Sequence, residues 1–457
     1  MIRPASFILS TGFAIILAGC AGVPASSNVV QKDVSTRSGL DTAWPHTVAE
    51  KQQTDEKVNA LLKRELTPDT AAAVALLNNR RLRATFETIG ISEADFLAAT
   101  RLPNPSFSAS VRWPDKQPRP PNVEFNLSFE VLNALFIPVR KKLAGEHLAI
   151  AQKQVAHEAL ALMADAKKAA YAIQAREEFR NRMAAILSVN QAAVNFAQRQ
   201  FDAGNISRLD LLNQQSAMQE AQLELARTDA ALQDDREKLN RLLGLSGDEI
   251  NWQMTPGLPT PPEQETKSDS LEQTAIAQRL DLAAAESEVA AARSALAFKQ
   301  TTRFLPIDAT LGIDTEREPG GTGGHTHVTG PNVELALPVF NQGQADIARL
   351  SSDLRRAEAN YEALAVDVQS EVRAARAALV AARTAAEYYD ATIVPQRRAV
   401  SKETLLQYNA MQRSNYELLF AKQQELEAER GRIEAWRDYW LARVELERAV
   451  GGQLVVP

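Results

Sequence analysis

Two stretches of the chain alternate between apolar and polar residues, which is the period of a β-strand with one buried face. Each stretch, 105–132 and 306–339, holds two such runs separated by a loop, and in the second stretch we place the loop at 316–331. The pattern therefore predicts two β-hairpins. The apolar positions of the runs are Phe107, Ala109, Val111 and Trp113; Val123, Phe125, Leu127, Phe129 and Val131; Ile307, Ala309, Leu311 and Ile313; and Val333, Leu335, Leu337 and Val339.

Long stretches with helical period follow the hairpins. Between residues 138 and 201, apolar residues recur at steps of three and four, which is the seam of a coiled coil. About 64 residues at a rise of 1.5 Å predict a rod of roughly 95 Å. Residues 341–408 predict a similar rod, interrupted at Pro395 because proline removes an internal hydrogen bond. The remaining predicted helices are 48–66, 67–100, 270–302 and two return helices that end near Gly244 and Gly451. Thr67 is the predicted N-cap of the helix at 67–100.

One segment interrupts the helical pattern in each half of the chain, and the two segments resemble each other. Residues 201–212 read FDAGNISRLDLL and residues 408–419 read YNAMQRSNYELL, which aligns Gly204 with Met411 without a gap. Glycine tolerates positive φ, and Asp and Asn favour turns. Each segment is therefore interpreted as the tip of a helical hairpin.

The two tips indicate an old duplication of the chain. The first repeat is placed at 68–260 and the second at 261–457, each with a short helix, a β-hairpin, a long helix, a tip and a return helix in that order. A repeat of roughly two hundred residues is far longer than a solenoid unit. The sequence therefore predicts two similar halves within one architecture.

The N-terminus has the features of a targeting segment. Residues 1–19 carry Arg3 followed by an apolar core that is too short to span a membrane as a mature helix. Cys20, the only cysteine of the chain, ends a Leu-Ala-Gly-Cys lipoprotein cleavage box. We interpret Cys20 as the acylated first residue of the mature protein, with Ala21 indicating the outer membrane. An ordinary signal peptide that happens to contain a cysteine is the alternative, and residues 20–67 are read as an acylated strap.

Composition and motifs narrow the possible functions. The net charge is −6 with mixed signs, which provides no basic face for nucleic acid. His157 and Glu158 begin a metalloprotease-like motif, but Ala161 stands where the second histidine is needed. His325 and His327 in the second hairpin loop lack a third ligand and are interpreted as surface residues rather than a metal site. Neither an enzyme activity nor a cofactor is predicted.

The alternating runs predict the wall of a transmembrane β-barrel, apolar toward lipid and polar toward the lumen. A half-buried soluble sheet alternates as well and is the alternative. Four strands cannot close, and open edges are not tolerated in lipid, so several chains must contribute. Eight strands fill their own interior, whereas twelve leave a water-filled lumen. The predicted fold class is an α+β membrane protein, a trimer with a 12-stranded β-barrel continued by a long α-helical coiled-coil barrel.

The cleavage box, the repeated order of elements and the tips FDAGNISRLDLL and YNAMQRSNYELL resemble the TolC-like outer-membrane efflux proteins. The resemblance covers nearly the whole mature chain and lies in order and spacing. It implies a homotrimer in the outer membrane whose helical barrel extends into the periplasm. It also implies segments that dock a periplasmic adaptor, with a glycine in the family at the position of Met411. These segments map to Ala203, Gly204 and Asn205, and to Ala410, Met411 and Gln412.

The family resemblance further implies an acidic residue a few positions after each tip, near the closed end of the pore. These residues map to Asp210 and Glu417. A ring of such carboxylates in a trimer would attract cations, as in other cation pores. A solvated charge at a helix end is the alternative interpretation.

The predicted function is a passive exit duct that docks a periplasmic adaptor (membrane fusion) protein and an inner-membrane pump of the proton-driven RND type. The duct is expected to contact outer-membrane lipid and no nucleic acid. One alternative is a duct for a type I protein secretion system, which the copurifying transporter would distinguish. Another is a coiled-coil scaffold lipoprotein without a channel, which fails if the alternating segments lie in the bilayer.

Overall fold

A computed structural model describes residues 27–113, 115, 121–263, 265, 270–305, 309–319 and 325–454. The signal peptide, Cys20 and residues 320–324 lie outside the described residues. The helices are α1 Ser27–Ser38, α2 Val48–Leu62, α3 Pro68–Asn78, α4 Arg80–Thr100, α5 Val131–Leu135, α6 Ile137–Asp202, α7 Arg208–Leu243, α8 Leu271–Gln278, α9 Leu280–Thr302, α10 Gln344–Tyr388, α11 Val394–Asn409 and α12 Asn415–Val450. The strands are β1 Ser106–Arg112, β2 Asn122–Phe129, β3 Thr310–Pro319 and β4 His325–Glu334.

The described chain forms two compact units. One is built mainly from Glu87–Gln152 and Ser287–Glu358 and contains the β-sheet. The other contains Gln31–Phe86, Lys153–Glu286 and the segment from Ala359 onward, with both tips. In the part of the chain that the structure describes, no helix is both long and apolar enough to cross a membrane.

The four strands form one antiparallel sheet in the order β1-β2-β3-β4. Phe107 pairs with Leu127, Leu127 with Ile313 and Ile313 with Pro331, so these residues share one face. The face is exposed, with 67% exposure at Phe107 and 55% at Ile313. The predicted division of the strands into an apolar and a polar face is present, but Val131 begins α5 instead of extending β2, and Ile307 lies outside the described residues.

The opposite face of the sheet is polar, and its side chains bond from strand to strand. Arg112 of β1 donates to the Glu124 carboxylate of β2 at 2.5 Å. Asn126 of β2 donates to the Asp314 carboxylate of β3. Glu316 pairs with Glu124 across β2 and β3, so it lies on the same face. Cross-strand pairs of this kind hold the register of an antiparallel sheet.

The second hairpin is longer than predicted. The loop expected at 316–331 is wrong, because most of these residues belong to β3 and β4, and Glu316 pairs with Val328. Threonine and valine in this stretch favour strands. Gly330 and Pro331 read as loop residues in the sequence, but both lie in the ladder with β3, opposite Asp314 and Ile313.

The end of the second hairpin also differs from the prediction. Leu335, Leu337 and Val339 were expected to continue the strand, but β4 ends at Glu334. Glu334 pairs with Thr310, the first residue of β3, so the ladder between the described strands ends there.

The two predicted rods are both present as helices. α6 confirms the first within a residue at each end. Its return helix α7 ends at Leu243 and is capped by Gly244, which has φ 70. In the second rod, α10 gives way to a π turn, Tyr389–Ile393, closed by a hydrogen bond from the Val394 N–H to the Tyr389 carbonyl. Pro395 follows at once and cannot donate to the helical ladder. The predicted interruption therefore takes the form of a π turn.

Each predicted short helix is divided in two. The breaks are extended residues, Asn79 with ψ 121 and Arg279 with ψ 124. The Asn79 side chain accepts from the Leu82 N–H at 2.9 Å and donates to the Leu242 carbonyl at 2.8 Å. Arg279 donates to the Ala449 carbonyl at 3.4 Å. Each break residue thus binds a carbonyl in the last turn of the return helix of its own half.

The N-terminal lead is more helical than predicted, because it contains α1 as well as the helix expected from Val48. Leu66 forms a parallel β-bridge with Met254. The Gln453 N–H donates to the Arg37 carbonyl at 3.0 Å. The lead therefore contacts both of the irregular segments that follow the return helices.

Two clusters of buried apolar side chains stabilise the unit that contains the tips. In the first, Trp252 is 2% exposed and its indole N–H donates to the Asn240 side chain at 2.8 Å. In the second, the rings of Tyr171 and Trp440 stack with centroids 5.1 Å apart. Large aromatic side chains bury much apolar area, so these two sites anchor the helices that lead to the tips.

Candidate functional site: the two helical tips

The first tip closes α6 with a Schellman motif. The Gly204 N–H donates to the Phe201 carbonyl at 2.9 Å, and the Asn205 N–H donates to the Gln200 carbonyl at 2.8 Å. This pair of bonds requires a left-handed residue at the position of Gly204, which has φ 75. Ala203, Gly204 and Asn205 are all exposed.

The second tip has the same backbone geometry without the glycine. The Met411 N–H donates to the Tyr408 carbonyl and the Gln412 N–H to the Gln407 carbonyl, both at 2.9 Å. Met411 has φ 60 and is the single non-glycine residue with positive φ in the described ranges. That conformation costs a non-glycine residue about 1–2 kcal/mol. Met411 is 95% exposed, and its neighbours Ala410 and Gln412 are exposed as well.

Asp210 and Glu417, the acidic residues predicted near the closed end of the pore, each form hydrogen bonds within their own tip. The Ser207 hydroxyl accepts from the Asp210 N–H at 3.2 Å, and the Asp210 carboxylate accepts from the Ser207 N–H at 3.2 Å. Ser414 and Glu417 form the same reciprocal pair, at 3.3 and 2.9 Å. These are capping boxes, which satisfy the free N–H groups at the start of α7 and α12. Within the described chain Asp210 and Glu417 bond to their own tips and not to each other.

The second tip has an additional ion pair. Arg413 donates to the Glu417 carboxylate at 2.6 Å and to the Gln407 side chain at 3.0 Å. The hydrogen bonds from the Ser414 backbone and from Arg413 lower the pKa of Glu417 to about 2. Ile206 occupies the corresponding position of the first tip. The carboxylate of the second tip is therefore paired with a cation, which the first tip does not supply at that position.

Apolar side chains are exposed around both tips. Leu209 is 67% exposed and Leu212 49% in the first hairpin, and Leu406 is 54% and Phe420 55% in the second. These side chains are available for contact with other molecules. The tips thus combine a fixed backbone with a partly apolar surface.

Arg413 and the two cap serines were not identified as site residues from the sequence. Ser-x-x-Asp and Ser-x-x-Glu after a turn are a readable signal for a capping box, whereas the contact of Arg413 with Gln407 depends on the closed turn. His327 pairs with Arg317 in the ladder between β3 and β4. Among the described residues no group of three or more His, Cys, Asp or Glu could hold a metal ion.

The chain was compared with known protein families and proteins. Residues 125–245, from β2 through the first tip to the end of α7, match the family described as Outer membrane efflux protein. The cobalt-zinc-cadmium resistance protein CzcC of Cupriavidus metallidurans is 23% identical over 337 residues, which are 72% of this chain and 77% of CzcC. Over these residues the chain is similar to outer-membrane efflux proteins.

Several solved structures share the fold of this chain. The CmeC outer membrane channel of Campylobacter jejuni superposes with a TM-score of 0.70 at 16% identity, over 91% of this chain and 90% of CmeC. CusC superposes with a TM-score of 0.69 at 16% identity, over 85% of this chain and 92% of CusC. The MtrE outer membrane channel of Neisseria gonorrhoeae, solved in an open state, gives 0.66 at 16% identity, over 84% and 88%.

Proposed function

We propose that this protein is an outer-membrane efflux protein, the exit duct of a tripartite efflux system, and that it works as a homotrimer with a twelve-stranded barrel. The observation that carries the proposal is the sheet, which has an exposed apolar face and ends in β1 on one side and β4 on the other. Open sheet edges are not tolerated in lipid. Pairing β4 of one protomer with β1 of the next would remove all of them.

A charge placed on each face of the same strand tests the barrel. Phe125→Asp puts a charge on the apolar face, which is unfavourable near the bilayer centre. Ser128→Asp puts the same charge on the polar face, where Ser128 lies opposite Ser106 and Gly312, and serves as the matched control. We expect wild type and Ser128→Asp to give trimers by native mass spectrometry and conducting channels in planar bilayers, and Phe125→Asp to give neither. Equal behaviour of the two variants would contradict the barrel.

We propose that both tips dock the periplasmic adaptor. The shared Schellman geometry and the exposed residues 203–205 and 410–412 support this proposal. A photo-crosslinking residue at Asn205 or Gln412 should trap a periplasmic partner in cells, and one at the exposed Lys238 should not. Identification of the trapped and copurifying proteins also separates an RND pump from a type I secretion transporter. Crosslinks at only one tip would contradict equivalent docking.

We propose that Asp210 and Glu417 contribute carboxylates near the periplasmic mouth of the trimer. The capping boxes place both residues in the first turn of a helix next to a tip. Asp210→Asn and Glu417→Gln together should reduce the preference of the channel for cations, read from the reversal potential in a salt gradient. An unchanged reversal potential would leave the two residues with their capping role alone.

We propose divalent metal cations as the first substrates to test. The relative CzcC is named for cobalt, zinc and cadmium resistance, and the polar face of the sheet carries Glu124, Asp314 and Glu316. A strain without this protein should become more sensitive to these metals. Sensitivity to organic drugs with unchanged metal tolerance would contradict metal export.

We further propose that Cys20 is acylated and anchors the N-terminal strap in the outer membrane. The chain contains no other cysteine. Labelled palmitate should be incorporated into wild type and not into Cys20→Ser. Labelling of the variant would contradict the assignment.

A further inference from the structure

The apolar face of the sheet changes character near the turn of the second hairpin. In the ladder between β3 and β4, Thr315 lies opposite Thr329 and Arg317 lies opposite His327, and all four share the face of Ile313. The two threonine hydroxyls are 3.3 Å apart, and His327 is exposed. We call Thr315, Arg317, His327 and Thr329 the Arg317 patch.

The charge of Arg317 has no counter-ion on its own face of the described strands. Glu124, Asp314 and Glu316 lie on the opposite face, where Arg112 donates to Glu124. The Nε of Arg317 is buried and has no hydrogen-bond partner. An N–H group that is removed from water without an acceptor is unfavourable. The hydrogen-bonding capacity of this guanidinium is therefore not used up by the sheet.

The first hairpin is apolar at the same level of the sheet. Val123 of β2 lies opposite Arg317, and Val111 of β1 lies opposite Val123. Phe125 of β2 lies opposite Thr315 and is exposed. The Arg317 patch is thus bordered by an apolar surface, and the combination fits a molecule that has a charged head and hydrocarbon chains.

The Arg317 patch lies at the end of the hairpins that is far from the helices. The chain enters β1 and β3 from α4 and α9, and it leaves β2 and β4 toward α5 and α10. Arg317 is six positions after Leu311, which is roughly 20 Å along a strand. The apolar band of a transmembrane barrel is about 25 Å tall, and charges are tolerated at its rims but not at its middle. Arg317 therefore has the position of a rim residue.

We propose that the Arg317 patch binds the phosphate-bearing head group of a lipid, the phosphorylated glycolipid of the outer leaflet. The planar guanidinium of Arg317 matches the geometry of a phosphate. His327 and the threonine hydroxyls supply further hydrogen bonds, and the acyl chains lie on the apolar surface beside Phe125. The assignment of this end to the outer leaflet rests on the proposed duct function.

Binding of bisphosphorylated lipid A to the full-length protein in detergent, measured by native mass spectrometry, tests the Arg317 patch. Arg317→Gln should weaken binding roughly tenfold or more, because a hydrogen bond between charged groups is lost. Arg112→Gln is the matched control, since it removes the same charge from the opposite face of the sheet, and should leave the affinity unchanged. The same spectra report whether each variant assembles as the wild type does. Equal weakening by the two variants would show attraction by net charge alone and would overturn the proposal.

Two further ligands separate recognition of a lipid head group from other kinds of binding. Lipid A without its phosphates should bind the wild type roughly tenfold more weakly and should not distinguish the wild type from Arg317→Gln. Inorganic phosphate should not displace bound lipid A, because it lacks acyl chains. Equal binding of the dephosphorylated lipid would indicate hydrocarbon contact only, and displacement by inorganic phosphate would indicate a site for free anions. Either result would contradict the proposal.

The lipid measurement does not depend on transport. A wild type that conducts ions in planar bilayers but binds lipid A independently of Arg317 would contradict the Arg317 patch and leave the duct intact. A wild type that does not conduct but loses lipid A on Arg317→Gln would contradict the duct and leave the patch intact.

Discussion

The tips offer a direct measure of how much backbone strain this protein holds where it is expected to meet its partner. Gly204 and Met411 occupy the same position of the same motif, with φ 75 and 60. Only one of them is glycine. Exchanging the residue types in single variants, Gly204→Ala and Met411→Gly, should therefore shift local stability in opposite directions.

The magnitude follows from the surroundings of the turn. A Cβ built on Gly204 meets no atom within 4 Å, so Gly204→Ala causes no clash and should destabilise the first tip by about 1 kcal/mol through the strain of an alanine at positive φ. Met411 is 95% exposed, so Met411→Gly removes little packing and should stabilise the second tip by about 1 kcal/mol. A change of 1 kcal/mol is roughly fivefold in an opening equilibrium.

Hydrogen exchange at the amides that close each motif is the assay. Gly204→Ala should accelerate exchange of the Asn205 amide about fivefold, and Met411→Gly should slow exchange of the Gln412 amide about fivefold. Ala410→Gly is the matched control, because Ala410 has φ −83 and gains nothing from glycine. Slower exchange in Ala410→Gly, or no change in Met411→Gly, would refute the assignment of strain to Met411.

Three further predictions concern the tips and the supporting helices. Gly204→Pro cannot adopt φ 75 and lacks the N–H that closes the tip, so it should abolish pump-dependent export while trimer assembly, measured by native mass spectrometry, is retained; normal export would contradict the tip assignment. Glu417 has a lowered pKa of about 2, so its contribution to stability is complete above its ordinary pKa of 4.5 and is lost as pH falls toward 2. The difference in thermal stability between wild type and Glu417→Gln should therefore shrink over that range. A constant difference would contradict the capping role. Gly244→Ala would place a Cβ 2.6 Å from the Asn78 carbonyl oxygen at φ 70, so it should destabilise the protein by about 2 kcal/mol or more in denaturant melts, and a loss near zero would contradict the close packing there.

The sequence correctly predicted those elements that depend on only a few neighbouring residues. The coiled-coil period of α6, the proline in the second rod and the turn formers at Gly204 each act within a few residues, and the structure contains all three features. Thr67 also caps α3 as predicted, because a cap depends on only three neighbouring positions. The positive φ of Met411 could not be predicted from the residue type, since the Schellman bonds impose it against the preference of methionine.

Tertiary contacts explain the features that the sequence did not predict. Asn79 and Arg279 break their helices because their side chains bind carbonyls of the return helices, more than 150 positions later in the chain. β3 and β4 extend through residues that read as a loop because their partner strands supply the hydrogen bonds. Glu429 of α12 forms ion pairs with Arg398 of α11 and Arg182 of α6, and no local pattern could indicate which of many arginines would meet that carboxylate.

Labelling of single cysteines in purified outer membranes tests the central claim most directly. Phe125 and Asn126 are adjacent on β2 and lie on opposite faces of the sheet, so Phe125→Cys and Asn126→Cys are compared in the background that retains Cys20. If the strands form a water-filled barrel, Phe125→Cys reacts with a lipid-soluble thiol reagent and Asn126→Cys with a water-soluble one. If both react freely with the water-soluble reagent, these strands do not line a barrel and the duct is contradicted.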